Sequence, residues 1–310
     1  MKLEPRTRRW AVPLLVGLLA ALLYAETLGS GFLTYDDPAL VLEPAVVRDP
    51  SLANIARTLR EPICGSIHPL HTLSYALDAK LYGLDRPGGF HATNVLLYAI
   101  ACALVVPAAR RFGAGERGAA LAGVLFAVHP SHVESVAWVS ERKDVLSLAF
   151  VLLAFLAVPR GDASGRRWLG AWLLLLAALA SKTSAVVLAP YLVVEAWLDG
   201  KLDRGRIARL LPFLALVVAW VWMEVHALAS VGVVRPIEAG TLGVRARLIA
   251  WTLAWYPVRL VAPWPLTPRP ELEPPPGWAA GDLGTALVLG LVAVAVAASL
   301  ARGSTRLARV

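Results

Sequence analysis

Residues 90–109 read FHATNVLLYAIACALVVPAA, and Arg110 and Arg111 follow at once. From Val95 onward no charged side chain interrupts this run. A helix needs about 20 predominantly apolar residues to cross a hydrocarbon core of about 30 Å. The run meets that length and stops at two arginines, so it reads as a membrane-spanning helix with a basic end. The reading extends to the rest of the chain. Hydrophobic residues make up 57% of the 310, and the mean hydropathy is +0.62. Soluble domains hold roughly 45–50% apolar residues. The composition therefore excludes an ordinary soluble enzyme.

Further apolar stretches lie at 10–28, 118–130, 143–158, 168–180, 183–198, 210–229 and 283–301. The expected fold is all-α: a polytopic helical membrane protein of about eight transmembrane helices, forming a single domain over 1–310. The net charge of +8 resides mainly in arginine. Loops 110–117, 159–167 and 199–209 are arginine-rich and alternate with loops that are not. Positive-inside topology places them in the cytoplasm with both termini. No basic stripe with interleaved aromatics points to nucleic acid. The basic start and first apolar stretch read as an uncleaved anchor, because Leu23 stands where a cleavage site wants a small residue.

The long first external loop, 29–89, is expected to carry amphipathic interfacial helices at 51–60 and 68–84. The second has Leu70, Leu73, Leu77, Leu81 and Leu84 at helical spacing. A second external segment, 230–282, contains an interfacial or re-entrant helix at 245–262. No internal repeat is visible. Two cysteines, Cys64 and Cys102, support neither a disulfide nor a thiolate metal site.

Two stretches, 118–130 and 168–180, are each about 20 Å long as helix and too short to cross the core. Their outer ends must sit below the outer surface. Irregular backbone survives at that depth only when buried in protein or lining a wet cavity. Residues 129–142 and 181–184 are therefore expected to line an external depression.

Chemistry-bearing residues cluster on that side. Asp36 and Asp37 follow the first span. A carboxylate there could serve as a general base on a hydroxyl or hold a divalent cation. Asp37 before Pro38 is equally the pattern of a helix cap. His129, His132 and Glu134 suggest a metal set, yet Ser131 and Glu134 also fit a capping box. Arg142, Lys143, Asp144 and Lys182 are external charges that run against the positive-inside bias. They would suit a lipid phosphate, or would pair among themselves, Lys143 with Asp144 or Glu141. The helix start at Thr183 adds free N–H groups. His68, His71, His91 and Asn94 complete the external set.

These residues fall into ordered motifs: Phe32-Leu-Thr-Tyr-Asp36-Asp37; Pro69-Leu-His-Thr-Leu-Ser-Tyr; Phe90-His-x-x-Asn94; His129-Pro-x-His-x-Glu-x-Val-Ala-Trp138; Arg142-Lys-Asp144; and Ser181-Lys-x-Ser-Ala-Val. The set resembles the membrane part of the transmembrane and tetratricopeptide-repeat O-mannosyltransferases and their bacterial relatives. Those are C-type glycosyltransferases, grouped with protein mannosyltransferases and aminoarabinose transferases. The resemblance implies a sugar donor on a polyprenyl phosphate, and an acceptor that is protein, glycan or lipid. It places an acidic base at Asp36 or Asp37. Substrate contacts would come from His68, His91, Asn94, His129, His132, Glu134, Arg142, Lys143, Asp144 and Lys182. It implies no certain cofactor and leaves a divalent cation open. Three features depart from the pattern: His68 stands where an Arg is usual, Thr183 where an acid is usual, and no repeat domain follows. A non-catalytic subunit that binds lipid-linked sugars, or works with a partner subunit, is the alternative. A transporter would want charges paired through the bundle centre. The arginine- and alanine-rich composition points to a bacterial inner membrane.

Overall fold

A computed structural model describes residues 5–160, 165–230, 256 and 260–263. Every regular element among them is helical; the sole extended pairing is an isolated bridge between Ile63 and Ser66. The all-α expectation holds. Two described helices are long and apolar enough to cross a membrane, Pro87–Arg111 and Arg204–Ala229, and Arg9–Leu23 and Thr183–Leu198 are shorter apolar helices. The expected span at 283–301 lies outside the described residues, as does the helix at 245–262 except for Tyr256 and 260–262.

The chain divides into two compact units. One comprises Met1–Leu192 and Ala208–Val234, the other Val193–Ile207 and Arg235–Val310. In the second, the described residues are chiefly the end of one helix and the start of the next. Everything below concerns the first unit.

Helix α5 (Pro87–Arg111) stands at its centre and packs against α1 (Pro5–Leu23), α6 (Glu116–Val128) and α8 (Arg142–Ala157); α8 in turn packs on α9 (Gly165–Leu179). Small residues bring the backbones close, as membrane helix contacts require. A Cβ at Gly17 of α1 would stand 2.9 Å from the Ala99 carbonyl oxygen of α5. The shared core holds Val16, Ala20, Val95, Tyr98, Cys102, Val106, Ala119 and Val145. Within it Tyr24 meets Tyr98 edge to face at 5.2 Å.

That tyrosine also serves one short hairpin. A helix ends with carbonyls that lack intrahelical partners. The Tyr98 hydroxyl stands at the end of α6 and donates to either the Phe126 carbonyl (3.0 Å) or that of Ala127 (3.1 Å). Helix α6 stops after 13 residues, about 20 Å, where His129 turns extended before Pro130, and the chain passes into irregular backbone. Helix α7 (Val133–Ala137) and two flanking 3-10 turns, Pro130–His132 and Val139–Glu141, then carry it into α8. At the opposite end Arg111 binds the last carbonyls of α8. Its guanidinium donates to Val158 O at 2.7 Å and to Phe155 O, and lies 4.3 Å from the Phe155 ring centroid.

The long segment 29–89 is largely helical, as expected. Short helix α2 (Ala45–Arg48) leads to α3 (Leu52–Thr58), capped by Ser51, whose Oγ accepts from Asn54 N at 3.5 Å. Helix α4 (Pro69–Tyr82) ends at Gly83, which sits at φ +85°, the conformation a glycine adopts without a Cβ penalty. Its orientation is inside-out for a soluble helix. His71, Thr72, Tyr75 and Asp78 are buried, while Leu77 and Leu81 are 57% and 62% exposed. Leu77 and Leu81 face outward, Leu73 and Leu84 pack against the core, and the polar face turns into the protein. Two helices complete the described chain, α10 (Leu188–Leu198) and α11 (Arg204–Ser230).

Candidate functional site

A polar cavity of about 580 Å³ opens among the segments between the apolar helices. Its wall includes Asp36, His68, His71, Glu141, Lys143 and Lys182. The chain thus brings one residue of the acidic pair, two of the loop histidines and both lysines to one space. Of the stretches expected to line a depression, Lys182 of the 181–184 turn and Glu141 near the end of 129–142 contribute to this cavity.

Each wall residue is held from behind. Lys143 Nζ lies 2.9 Å from Glu141 Oε1, which settles that lysine's pairing on Glu141 rather than Asp144. Lys182 Nζ pairs with Asp144 Oδ1, and Ser135 Oγ donates to the other Asp144 oxygen at 2.8 Å. His68 Nε2 accepts from the Thr183 backbone N–H at 3.2 Å and lies 3.1 Å from Thr183 Oγ1. The two positions that depart from the resembled pattern therefore touch each other. Burial, then Lys143 and Lys182, lowers the His68 imidazole to about 4. Burial, Lys143, His68 and Arg142 hold His71 well below its usual range. Both rings are neutral at neutral pH.

Behind the wall lies a second polar layer without access to the cavity. Asp37 is fully buried. Its Oδ2 accepts from Leu33 N at 2.7 Å, and its Oδ1 accepts from Ser140 N at 3.0 Å and from the Ser140 hydroxyl. Asp37 does not cap the turn it precedes: its backbone is helical and its side chain makes no cap bond. It ties the loop after α1 to the loop before α8. Arg142 is also fully buried. Nη2 pairs with Asp78 Oδ2 at 2.5 Å and donates to Phe90 O at 2.9 Å, while Nε donates to Asn94 Oδ1 at 2.7 Å. The Tyr75 ring lies under the guanidinium at 4.4 Å. Asn94 passes the connection on, with Nδ2 at 3.2 Å from Trp138 O. His91 is buried, with Nε2 at 3.4 Å from Gly31 O. Asp37, Arg142, Asn94 and His91 thus form a frame.

The third group stands apart. His129 and His132 have ring centroids 5.7 Å apart, and His132 packs on Phe126 at 4.3 Å. The expected capping box is absent. His129 Nδ1 accepts from Ser131 N at 3.3 Å, and no side chain caps α7. Burial and the neighbouring His129 lower His132 to about 4. Glu134 is exposed, and partial burial with Glu141 and Asp144 pushes it upward. Among the described residues no three His, Cys, Asp or Glu side chains are grouped to hold a metal ion.

Sequence reasoning passed over Asp78 and Glu224. Glu224, in α11, is 6% exposed. Its Oε2 accepts from Ile67 N at 3.3 Å, and its Oε1 lies 3.8 Å from His68 Nε2. A carboxylate within an apolar stretch is itself a signal. Asp78 carried one too, standing on α4 opposite the leucine stripe.

Comparison with known proteins agrees with the motifs. The curated proteins that the chain resembles are protein O-mannosyl-transferases. Tmtc2 of Drosophila melanogaster is 37% identical over 210 residues, covering 61% of this chain and 22% of that protein. Tmtc1 of the same fly is 36% identical over 178 residues, 54% of this chain and 20% of the relative. Human TMTC4 is 31% identical over 167 residues, 47% and 22%. The chain spans about a fifth of the length of these relatives. No family model and no solved structure matches it.

Proposed function

We propose that this chain is a membrane glycosyltransferase that moves a sugar, mannose by analogy with its relatives, from a polyprenyl-phosphate donor to an acceptor hydroxyl. The observation that carries the reading is the division of the acidic pair. Asp36 faces a polar cavity that also holds two lysines, while Asp37 is consumed by the frame. Asp36 takes the proton from the acceptor hydroxyl. The acceptor oxygen attacks the anomeric carbon from the face opposite the phosphate, the carbon–oxygen bond to phosphate breaks, and polyprenyl phosphate leaves. The anomeric centre inverts. Lys143 and Lys182 offset charge on the departing phosphate, an electrostatic task for fixed charges at the place where charge develops. Arg142, Asn94 and His91 serve by holding that wall. His129, His132 and Glu134 stand nearest in role to the acceptor, which is a protein in this reading. The chain crosses a bacterial inner membrane about eight times as one domain, with both termini cytoplasmic and the cavity external. The lipid tail of the donor lies in the surrounding bilayer.

The test is sugar incorporation from polyprenyl-phosphate donors by purified chain in nanodiscs. Asp36→Asn should reduce turnover by at least about 100-fold, since a positioned base contributes 10²–10⁴, with thermal stability retained. Wild-type rates in Asp36→Asn remove the base assignment. Tight donor binding with no turnover in wild type supports the non-catalytic subunit instead.

A further inference from the structure

The geometry around His68 carries information beyond the presence of a histidine. A backbone N–H has a fixed direction, set by the planar peptide. That of Thr183 points at His68 Nε2 from 3.2 Å. A ring nitrogen that accepts a hydrogen bond carries no proton. The proton of the neutral ring must then sit on Nδ1. Among the described residues the His68 ring makes its hydrogen bonds through Nε2, none through Nδ1, and the side chain is on the cavity wall.

We infer that His68 is a neutral hydrogen-bond donor, locked in its Nδ1–H tautomer by the Thr183 backbone and presented to an anionic phosphate oxygen in the cavity. The inference deepens the proposed donor site and rests on that reading for its ligand. A cation at this place would add to the charge of Lys143 and Lys182. A neutral donor aims a hydrogen bond at the phosphate without a third charge.

The groups that face this imidazole are Lys182 of the 181–184 turn, Lys143 at the start of α8, His71 on the next turn of α4 and Glu224 of α11. The lysines oppose protonation, as does the burial they share. The carboxylates Asp36 and Glu141 on the same wall favour it, as does Glu224. Its oxygen is 3.8 Å away, beyond hydrogen-bond reach, and its other oxygen is engaged by Ile67 N. The geometry therefore leaves Nε2 to Thr183.

Thr183 allows the lock to be removed cleanly. It is the first residue of the Thr183–Val187 helix, and Lys182 before it has φ −160°, ψ 135°. Proline is tolerated at the first helical position, and it wants an extended residue before it. Thr183→Pro removes the N–H with little strain. Thr183→Val keeps the N–H and removes only the hydroxyl.

The experiment is ¹⁵N-histidine NMR of the whole chain in nanodiscs at pH 7, with His68 assigned by its loss in His68→Gln. The expected spectrum shows a neutral ring protonated at Nδ1, in wild type and in Thr183→Val. An imidazolium or an Nε2–H ring overturns the inference, whatever the chain's activity. A short-chain polyprenyl monophosphate is then titrated. It should shift the Nδ1 resonance, and Thr183→Pro should bind it at least about fivefold more weakly than Thr183→Val. Lipid binding without an Nδ1 response, or equal affinity of the two variants, overturns the donor role and leaves the glycosyltransferase reading intact. Inorganic phosphate is the second arm. A response to it but not to the lipid upholds His68 as an anion donor and overturns the lipid-donor reading. No response to either removes both.

Discussion

The cavity wall and the frame behind it draw on the same residue types and put them to opposite uses. Asp36 and Asp37 are adjacent. One lines an open polar space, and the other spends its oxygens on two backbone N–H groups and a hydroxyl. Arg142 and Lys143 are adjacent too. The arginine is sealed between Asp78, Asn94, Phe90 and Tyr75, while the lysine sits on the wall with one carboxylate partner. The lesson concerns donor number and rigidity. Guanidinium offers five donors in a planar fork and cannot lose its charge, so it suits a permanent buried junction. Ammonium is a mobile point charge that can exchange one partner for another, as a phosphate-binding wall requires.

The contrast can be broken most severely at Arg142. Arg142→Ala strands Asp78 as an unpaired buried charge, which costs about 3–5 kcal/mol. The variant should fail to give a monodisperse peak in detergent size exclusion. A well-folded Arg142→Ala would mean the frame is not structural. Next comes Asp37→Ala, which orphans Leu33 N and Ser140 N. Leaving buried donors unsatisfied costs about 1–3 kcal/mol, read as a lowered melting temperature. Asp36→Ala, one residue away, should shift stability by no more than about 0.5 kcal/mol. Equal melting temperatures for the two alanine variants would erase the distinction between wall and frame.

Acid should loosen the wall before the spans. His68 and His132 each titrate near 4 in the folded chain, against 6.5 for a free imidazole. Between those values the unfolded chain binds more protons than the folded one, so stability falls as pH drops from about 6.5 toward 4. Melting curves across that window should show the loss, and His68→Gln should flatten part of it. A melting temperature constant from pH 7 to 4.5 would mean both rings are well hydrated. The smallest effect belongs to thiol labelling. Cys64 is exposed beside the wall, and Cys102 is buried in α5. A membrane-impermeant maleimide added from outside should label Cys64 alone. Labelling only after the membrane is opened would place the cavity on the cytoplasmic side.

Much of this was legible beforehand. Charge-free runs announce membrane helices because the bilayer penalises anything else, and α5 and α11 are long and apolar where such runs predicted spans. Two hairpins too short to cross implied a sunken external space, since helix rise per residue is constant. Helix α4 forms where leucines at helical spacing placed it, with Leu77 and Leu81 exposed as on an interfacial helix. Leu73 and Leu84 pack against the core instead, and the spacing gave no sign that His71, Tyr75 and Asp78 face the protein. Periodicity identifies a face; it does not say which side is the interior when the surroundings are lipid. The capping readings at Asp37 and Ser131 failed for a related reason. A local rule considers neighbours within four residues, whereas Asp37 finds Ser140 more than a hundred positions away.

The sequence by itself determined the all-helical, apolar class of molecule and the motifs that resemble those of protein O-mannosyl-transferases. Hydrophobic transfer energies and helix geometry act along the chain, so they can be read along it. Only the tertiary structure decided which of two aspartates is free, why an arginine with four partners is not, and that His68 and Thr183 meet. Those outcomes depend on hydrogen bonds between segments brought together by packing. A carboxylate beside another carboxylate looks the same in sequence whether its next neighbour in space is a cavity or a buried serine.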